Sequence, residues 1–276
     1  MKPPQYLVDR QWLVQHLNNP QVKIIDCRFK LADPDWGEQE YLNSHITGAY
    51  YLDLDRDLSS EVKLHGGRHP LPNSDVLAQK FTEIGIVKNE TLVVAYDDSR
   101  FAFAARLWWL LQYLGHDRVV LLDGGWNGWL NSDFPTDNFI PKSQSGDFAP
   151  QIRRDWVIDI ETLKSIKDRE DVILIDSRDE DRYLGLREPI DPIAGSIPGA
   201  LNSPWKQITD ESGNSKSLQT QQQLWDRYQS AEQIIVYCGS GVTACVNLFT
   251  LARVGLNRAK LYAGGWSDWC SYLNPN

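Results

Sequence analysis

Short apolar runs alternate along this chain with longer stretches in which apolar residues recur every three or four positions. Val172 to Ile175, Ile234 to Tyr237 and Lys260 to Tyr262 look like buried strands, the first two rich in β-branched residues. Thr243 to Arg253, continued by Val254, places Val246 and Phe249 near helical spacing and runs out at Gly255. That pattern predicts an amphipathic helix closed by a glycine cap. Strands alternating with helices predict an α/β fold of mainly parallel sheets, each covered by helices on both faces.

The pattern also repeats. "VKIIDCR" (Val22 to Arg28) answers to "VILIDSR" (Val172 to Arg178), and "SHITGA" (Ser44 to Ala49) to "GSIPGA" (Gly195 to Ala200). "VVAYDDSRFAFAARL" answers to "IIVYCGSGVTACVNL", with Asp97 opposite Cys238, and "LLDGGWNGW" to "LYAGGWSDW". Four landmarks in the same order predict two tandem domains of one fold. The segment between them is polar, carries Pro135, Pro141 and Pro150, and has no apolar period. The expected division is a first domain at 1–135, a linker at 136–152 and a second domain at 153–276.

Composition narrows the function. A chain of 276 residues with 37 acidic against 28 basic side chains has a formal charge of −9 and no basic block, which disfavours nucleic acid and anionic membrane surfaces as partners. No run of 18 apolar residues occurs and the N-terminal stretch is broken by charge, so a cytoplasmic protein is expected. The cysteines Cys27, Cys238, Cys245 and Cys270 form no CxxC pair and no zinc spacing. No metal is therefore expected, and cysteine chemistry should be that of a single thiol.

Cys238 is the candidate. It stands where a strand hands over to a helix, the position at which open parallel sheets bind ligands. Gly239, Ser240, Gly241, Val242 and Thr243 then form a short loop whose two glycines permit a tight curl, with amides and a helix N-terminus turned inward. Such a cradle stabilises a thiolate and predicts a pKa below the free value of roughly 8.5. The equivalent loop of the first half has Asp97 and no thiol, so one half reads as a working copy and the other as a scaffold.

These residues give the chain a resemblance to tandem rhodanese-type sulfurtransferases over nearly its full length. The resemblance rests on "CGSGVT" at Cys238 to Thr243, the "IDCR" and "IDSR" strand ends, "SHITGA" and "GSIPGA", and the paired "GGW" turns. "CGSGVT" is similar to the active loop of the members that use 3-mercaptopyruvate, whereas thiosulfate-using members commonly carry cations just after the cysteine. The resemblance implies transfer of a sulfane sulfur from a small donor onto Cys238 as a persulfide, then to cyanide, a thiol or thioredoxin, with no cofactor. It implies Arg182 as a ligand of the donor carboxylate, with Arg187 near the place of a second such arginine. It further implies a relay of Ser240 with Asp55 and His69 from the first half, and loop residues Gly239, Gly241, Val242 and Thr243 beside the donor. Thr243 also stands where a helix cap is expected.

Other classes remain as alternatives. A cysteine phosphatase needs an arginine six positions after the cysteine, where this chain has Ala244. Thiosulfate is the competing donor, and a non-catalytic persulfide carrier is the competing role. Cys27, Cys245 and Cys270 read as packing or surface residues, and Trp126, Trp129, Trp266 and Trp269 as core.

Overall fold

The structure, a computed structural model, describes residues 5–273. It divides into two compact units that are not simply the two halves of the chain. Unit 1 comprises Met1–Ser59, Pro72–Arg153 and Thr209–Ser215; unit 2 comprises Ser60–Leu71, Arg154–Ile208 and Lys216–Asn276.

Unit 1 is built on a five-stranded parallel sheet in the order Leu7–Val8, Val119–Leu122, Leu92–Tyr96, Val22–Asp26, Tyr50–Tyr51. Unit 2 repeats the central part with four parallel strands in the order Ala259–Leu261, Gln233–Tyr237, Val172–Asp176, Leu201–Asn202. Every residue of Val22–Asp26 and Leu92–Tyr96 is buried, which is why these strands read as continuous apolar runs rather than alternating ones. The helix Ala244–Arg253 follows Gln233–Tyr237 and is stopped by Gly255, whose φ of +89° costs glycine nothing. Its counterpart Ala104–Tyr113 follows Leu92–Tyr96 in unit 1.

The repeated motifs build one polar frame in each unit. Arg28, 1% exposed, holds the Asp26 carboxylate through Nε and Nη2 and donates to the Ser44 carbonyl. The indole of Trp126 covers the guanidinium at 4.2 Å. Arg178 does the same with Asp176, the Gly195 carbonyl and the Trp266 ring at 5.1 Å. A buried guanidinium is tolerated only when its charge and its donors are met, and here carboxylate, carbonyl and ring face meet them together. Tyr96 and Tyr237 complete the frame by accepting the amides of Ile46 and Ile197. Trp126 and Trp266 are thus core residues with the added task of covering a cation.

The proline-bearing segment after the first half is held against unit 1. Thr136–Asp137 pairs antiparallel with His45–Ile46, and the amides of Gln144, Gly146 and Asp147 donate to the carbonyls of Glu83, Thr82 and Ile86. Among the described residues no helix is long and apolar enough to cross a membrane.

Candidate active site

Cys238 directly follows the strand Gln233–Tyr237 and is buried, with Gly239–Thr243 leading into the helix Ala244–Arg253. The loop is fixed from beneath by the second "GGW" turn. The amide of Trp266 donates to the Cys238 carbonyl and that of Ser267 to the Gly239 carbonyl, both at 2.8 Å. A Cβ at Gly265 would stand 2.5 Å from the Cys238 carbonyl oxygen, and its φ is +60°, so only glycine lets the turn approach this closely. Within the loop Gly241 adopts φ +74°. Val242 is buried.

Ser240 and His69 meet. The Ser240 Oγ lies 2.7 Å from the His69 Nδ1, and both side chains are buried. His69 comes from the first half of the sequence yet belongs to unit 2, because Ser60–Leu71 packs there. That segment is anchored by Asp268, which accepts the Gly66 amide at 2.7 Å on one oxygen and the Tyr262 hydroxyl at 2.7 Å on the other. His65 stacks on Tyr272 at 4.0 Å beside it. Asp55, the third expected member of the relay, belongs to unit 1, where its amide donates to Asp53.

Arg182 reaches the loop. A Cβ built at Gly239 would lie 3.6 and 3.7 Å from its Nη2 and Nη1. Glu188 receives its Nε and Nη2, and Asp191 receives Nη2 at 3.3 Å. Arg187, expected near the place of a second cation at the donor, has its Nε bound to Asp181 at 2.6 Å on the exposed surface. Thr243 occupies the position before the helix but makes no side-chain capping bond, so its expected cap is absent.

Arg68 was invisible to sequence reasoning. Its Nη2 lies 3.0 Å from the same Gly239 Cβ position, and its Nη1 is paired with the Asp191 carboxylate. Burial and the neighbouring Arg182 depress its pKa, while the Cys238 sulfur and Glu188 act in the opposite sense. The only sign in the sequence was a charged residue between Gly67 and His69, in a loop without apolar period. Residues 239–243 carry no cation themselves, but two arginines from elsewhere in unit 2 stand beside Gly239.

The other cysteines are packing residues. Burial pushes the Cys27 thiol well above its ordinary pKa and raises that of Cys270. Cys245 donates its thiol to the Gly241 carbonyl at 3.3 Å.

The equivalent place in unit 1 holds a carboxylate. The Asp97 carboxylate accepts the amides of Ser99, Phe101, Phe103 and Ala104 at 2.8 to 3.0 Å. Burial lifts its pKa to about 6 against the pull of those amides. Arg100 there adopts φ +60°. Trp126 donates to the Asp97 carbonyl at 2.8 Å as Trp266 does to that of Cys238. The loop of unit 1 therefore forms a nest of amides filled by its own carboxylate.

Comparison with known proteins agrees with this construction. Residues 9–132 and 159–272 each match the rhodanese-like domain family. The chain is 41% identical over 271 residues to a probable 3-mercaptopyruvate sulfurtransferase of Pseudomonas aeruginosa, covering 95% of this chain and 94% of the relative. It is 34% identical over 260 residues to a putative thiosulfate sulfurtransferase, SseB, of Mycobacterium tuberculosis, covering 91% and 88%. Among solved structures it is similar to the crystal structure of SseA from Escherichia coli, described with the rhodanese fold and mechanism of 3-mercaptopyruvate sulfotransferases. The TM-score is 0.83 at 31% identity, over 96% of this chain and all of the other.

Proposed function

We propose, since the chain belongs to the rhodanese-like domain family and carries that domain twice, that it is a sulfurtransferase whose donor is 3-mercaptopyruvate and whose sulfur carrier is Cys238. The observation that carries this reading is the Ser240 to His69 contact of 2.7 Å, two residues from the only cysteine set in a glycine loop at a strand end.

The chemistry follows from the parts. The Cys238 thiolate attacks the donor sulfur and forms a new S–S bond. The carbon–sulfur bond breaks, its electron pair passing to carbon, and pyruvate leaves as an enolate. Ser240, polarised by His69, is set to deliver the proton that this enolate needs. The Arg182 guanidinium beside Gly239 holds the donor carboxylate, for which its planar fork is suited. The persulfide left on Cys238 is anionic, and the guanidiniums beside Gly239 favour that charge. A thiol, cyanide or thioredoxin then removes the outer sulfur. No disulfide joins the four cysteines, which suits the reduced setting of the cytoplasm.

Two donors compared on one enzyme test the reading. Wild type should show a higher kcat/KM for 3-mercaptopyruvate than for thiosulfate, and Cys238→Ser should transfer sulfur from neither. Sulfur transfer at the wild-type rate by that variant, or a preference for thiosulfate, would overturn it.

A further inference from the structure

The two halves of the chain exchange one segment in each direction. Ser60–Leu71, which follows the edge strand Tyr50–Tyr51, packs into unit 2, and Thr209–Ser215, which follows the edge strand Leu201–Asn202, packs into unit 1. Each is tied beside a double-glycine turn. The Ser215 amide donates to Asp123 at 2.7 Å as the Gly66 amide donates to Asp268. A Cβ at Gly67 would stand 2.4 Å from the Gly264 carbonyl oxygen, and one at Gly124 would stand 2.8 Å from the Asn214 Oδ1. Unit 1 therefore covers its own loop at Asp97 as unit 2 covers the cysteine loop.

Between that loop and its cover lies a cavity of about 290 Å³, lined by Asp98, Arg100 and Asn127 from one side and by Glu211 and Gly213 from the other. Its side chains offer acceptors. The half-buried Asp98 carboxylate takes the Ser99 hydroxyl at 2.9 Å, and Asn127 spends its Nδ2 on the Asp98 carbonyl at 3.3 Å, which leaves the Asn127 side-chain oxygen as an acceptor. Arg100 is committed to Thr209, whose hydroxyl and carbonyl receive its Nε at 2.7 Å and its Nη2 at 3.2 Å. Among the described residues neither Asp98 nor Glu211 forms an ion pair. Burial accordingly raises the Asp98 pKa, against the pull of the Arg28 charge. A carboxylate drawn out of water without a paired cation is stabilised by one that brings N–H donors. Among the described residues no group of three His, Cys, Asp or Glu side chains is placed to hold a metal ion, so the complement of this cavity is organic.

We propose that this cavity is a second binding site, in the unit without the thiol, for a small organic diammonium ion held between Asp98 and Glu211. The two units then differ in sign at matching places. Guanidiniums stand beside Gly239 in unit 2, whereas carboxylates line the covered cavity of unit 1. The site does not depend on the reading of Cys238 as a sulfur carrier.

The test is isothermal titration calorimetry of the full chain with putrescine, and with butanediol as the neutral molecule of the same length. Putrescine should bind and butanediol should not. Glu211→Gln, a change at an exposed position that should leave sulfur transfer untouched, is expected to weaken putrescine about tenfold or more, the weight of one charge-assisted contact. Asp98→Asn should weaken it as much. Cys238→Ser should bind putrescine as wild type does, because the cavity lies wholly in unit 1. Equal heats from putrescine and butanediol, an affinity unchanged in Glu211→Gln, or loss of binding in Cys238→Ser would each overturn the proposal. Magnesium binding with the same affinity and the same dependence on Glu211 would overturn the choice of an organic ligand.

Discussion

Ser240 and His69, separated by 171 positions in the chain, share a buried hydrogen bond of 2.7 Å. The bond ties the loop that carries the nucleophile to a segment that follows a different strand altogether. It also separates the two donors chemically. Release of pyruvate requires a proton at carbon, whereas release of sulfite from thiosulfate does not. Ser240→Ala should therefore lower kcat with 3-mercaptopyruvate by about 10²-fold or more, the usual weight of a positioned acid or base. The loss with thiosulfate should be much smaller. Equal losses with both donors, measured as pyruvate and sulfite release, would remove the relay.

Asp97 fills the nest of unit 1 with four amide bonds. Asp97→Ala would leave those donors buried without an acceptor and should destabilise unit 1 by more than about 3 kcal/mol, given roughly 1–3 kcal/mol for each orphaned group. Asp97→Asn keeps an oxygen in place and should cost less. Urea midpoints of the three proteins decide the matter, and an alanine variant as stable as wild type contradicts it.

His116 gives a pH dependence with a definite sign. Its Nδ1 accepts the Asn89 amide at 3.0 Å and its Nε2 faces the Arg118 carbonyl at 3.1 Å, so the ring is held neutral. Burial lowers its pKa from 6.5 to about 4. Between those values the unfolded chain binds the proton and the folded one does not, so stability falls as pH drops through this window. The loss approaches about 3 kcal/mol. Asp97, whose pKa is raised to about 6, acts the other way, because the folded chain takes up its proton first. The stability of wild type relative to His116→Gln isolates the histidine. That difference should shrink between pH 7 and pH 4.5, and a difference that stays constant refutes the assignment.

Gly265 and Gly125 are a matched pair. Alanine at either would place a Cβ against a loop carbonyl, 2.5 Å from that of Cys238 or 2.2 Å from that of Asp97, at a positive φ. Both substitutions should cost about 2 kcal/mol or more. Only Gly265→Ala should also reduce activity per folded molecule. Thermal melting alongside specific activity separates the two effects, and equal activity in both variants would show that the turn does not set the loop.

Legibility differed from residue to residue for physical reasons. Cys238 stood out because a β-branched run ending at glycine, serine and glycine is a local signal, whereas Arg182 was suggested only by the family resemblance. The parallel sheets were readable in both halves, since burial on both faces leaves a continuous apolar run. Arg68 was not readable. Its role depends on where a loop without periodicity is tied, and the tether is Asp268, two hundred positions away. Charge near a site says nothing about direction, and Arg187 is paired with its neighbour Asp181 at the surface. Thr243 misled because position before a helix does not ensure that the hydroxyl turns back toward the amides. The nest around Asp97 went unforeseen, since four converging amides are a property of backbone angles rather than of residue types.

Because Ser60–Leu71 belongs with the later part of the chain, the ancestral gene doubling cannot be undone with scissors. A polypeptide beginning after the proline-rich stretch would keep the cysteine and its glycines while leaving behind the imidazole and one guanidinium. Under the proposed mechanism the first half is not dispensable, because its segment Ser60–Leu71 brings His69 to Ser240.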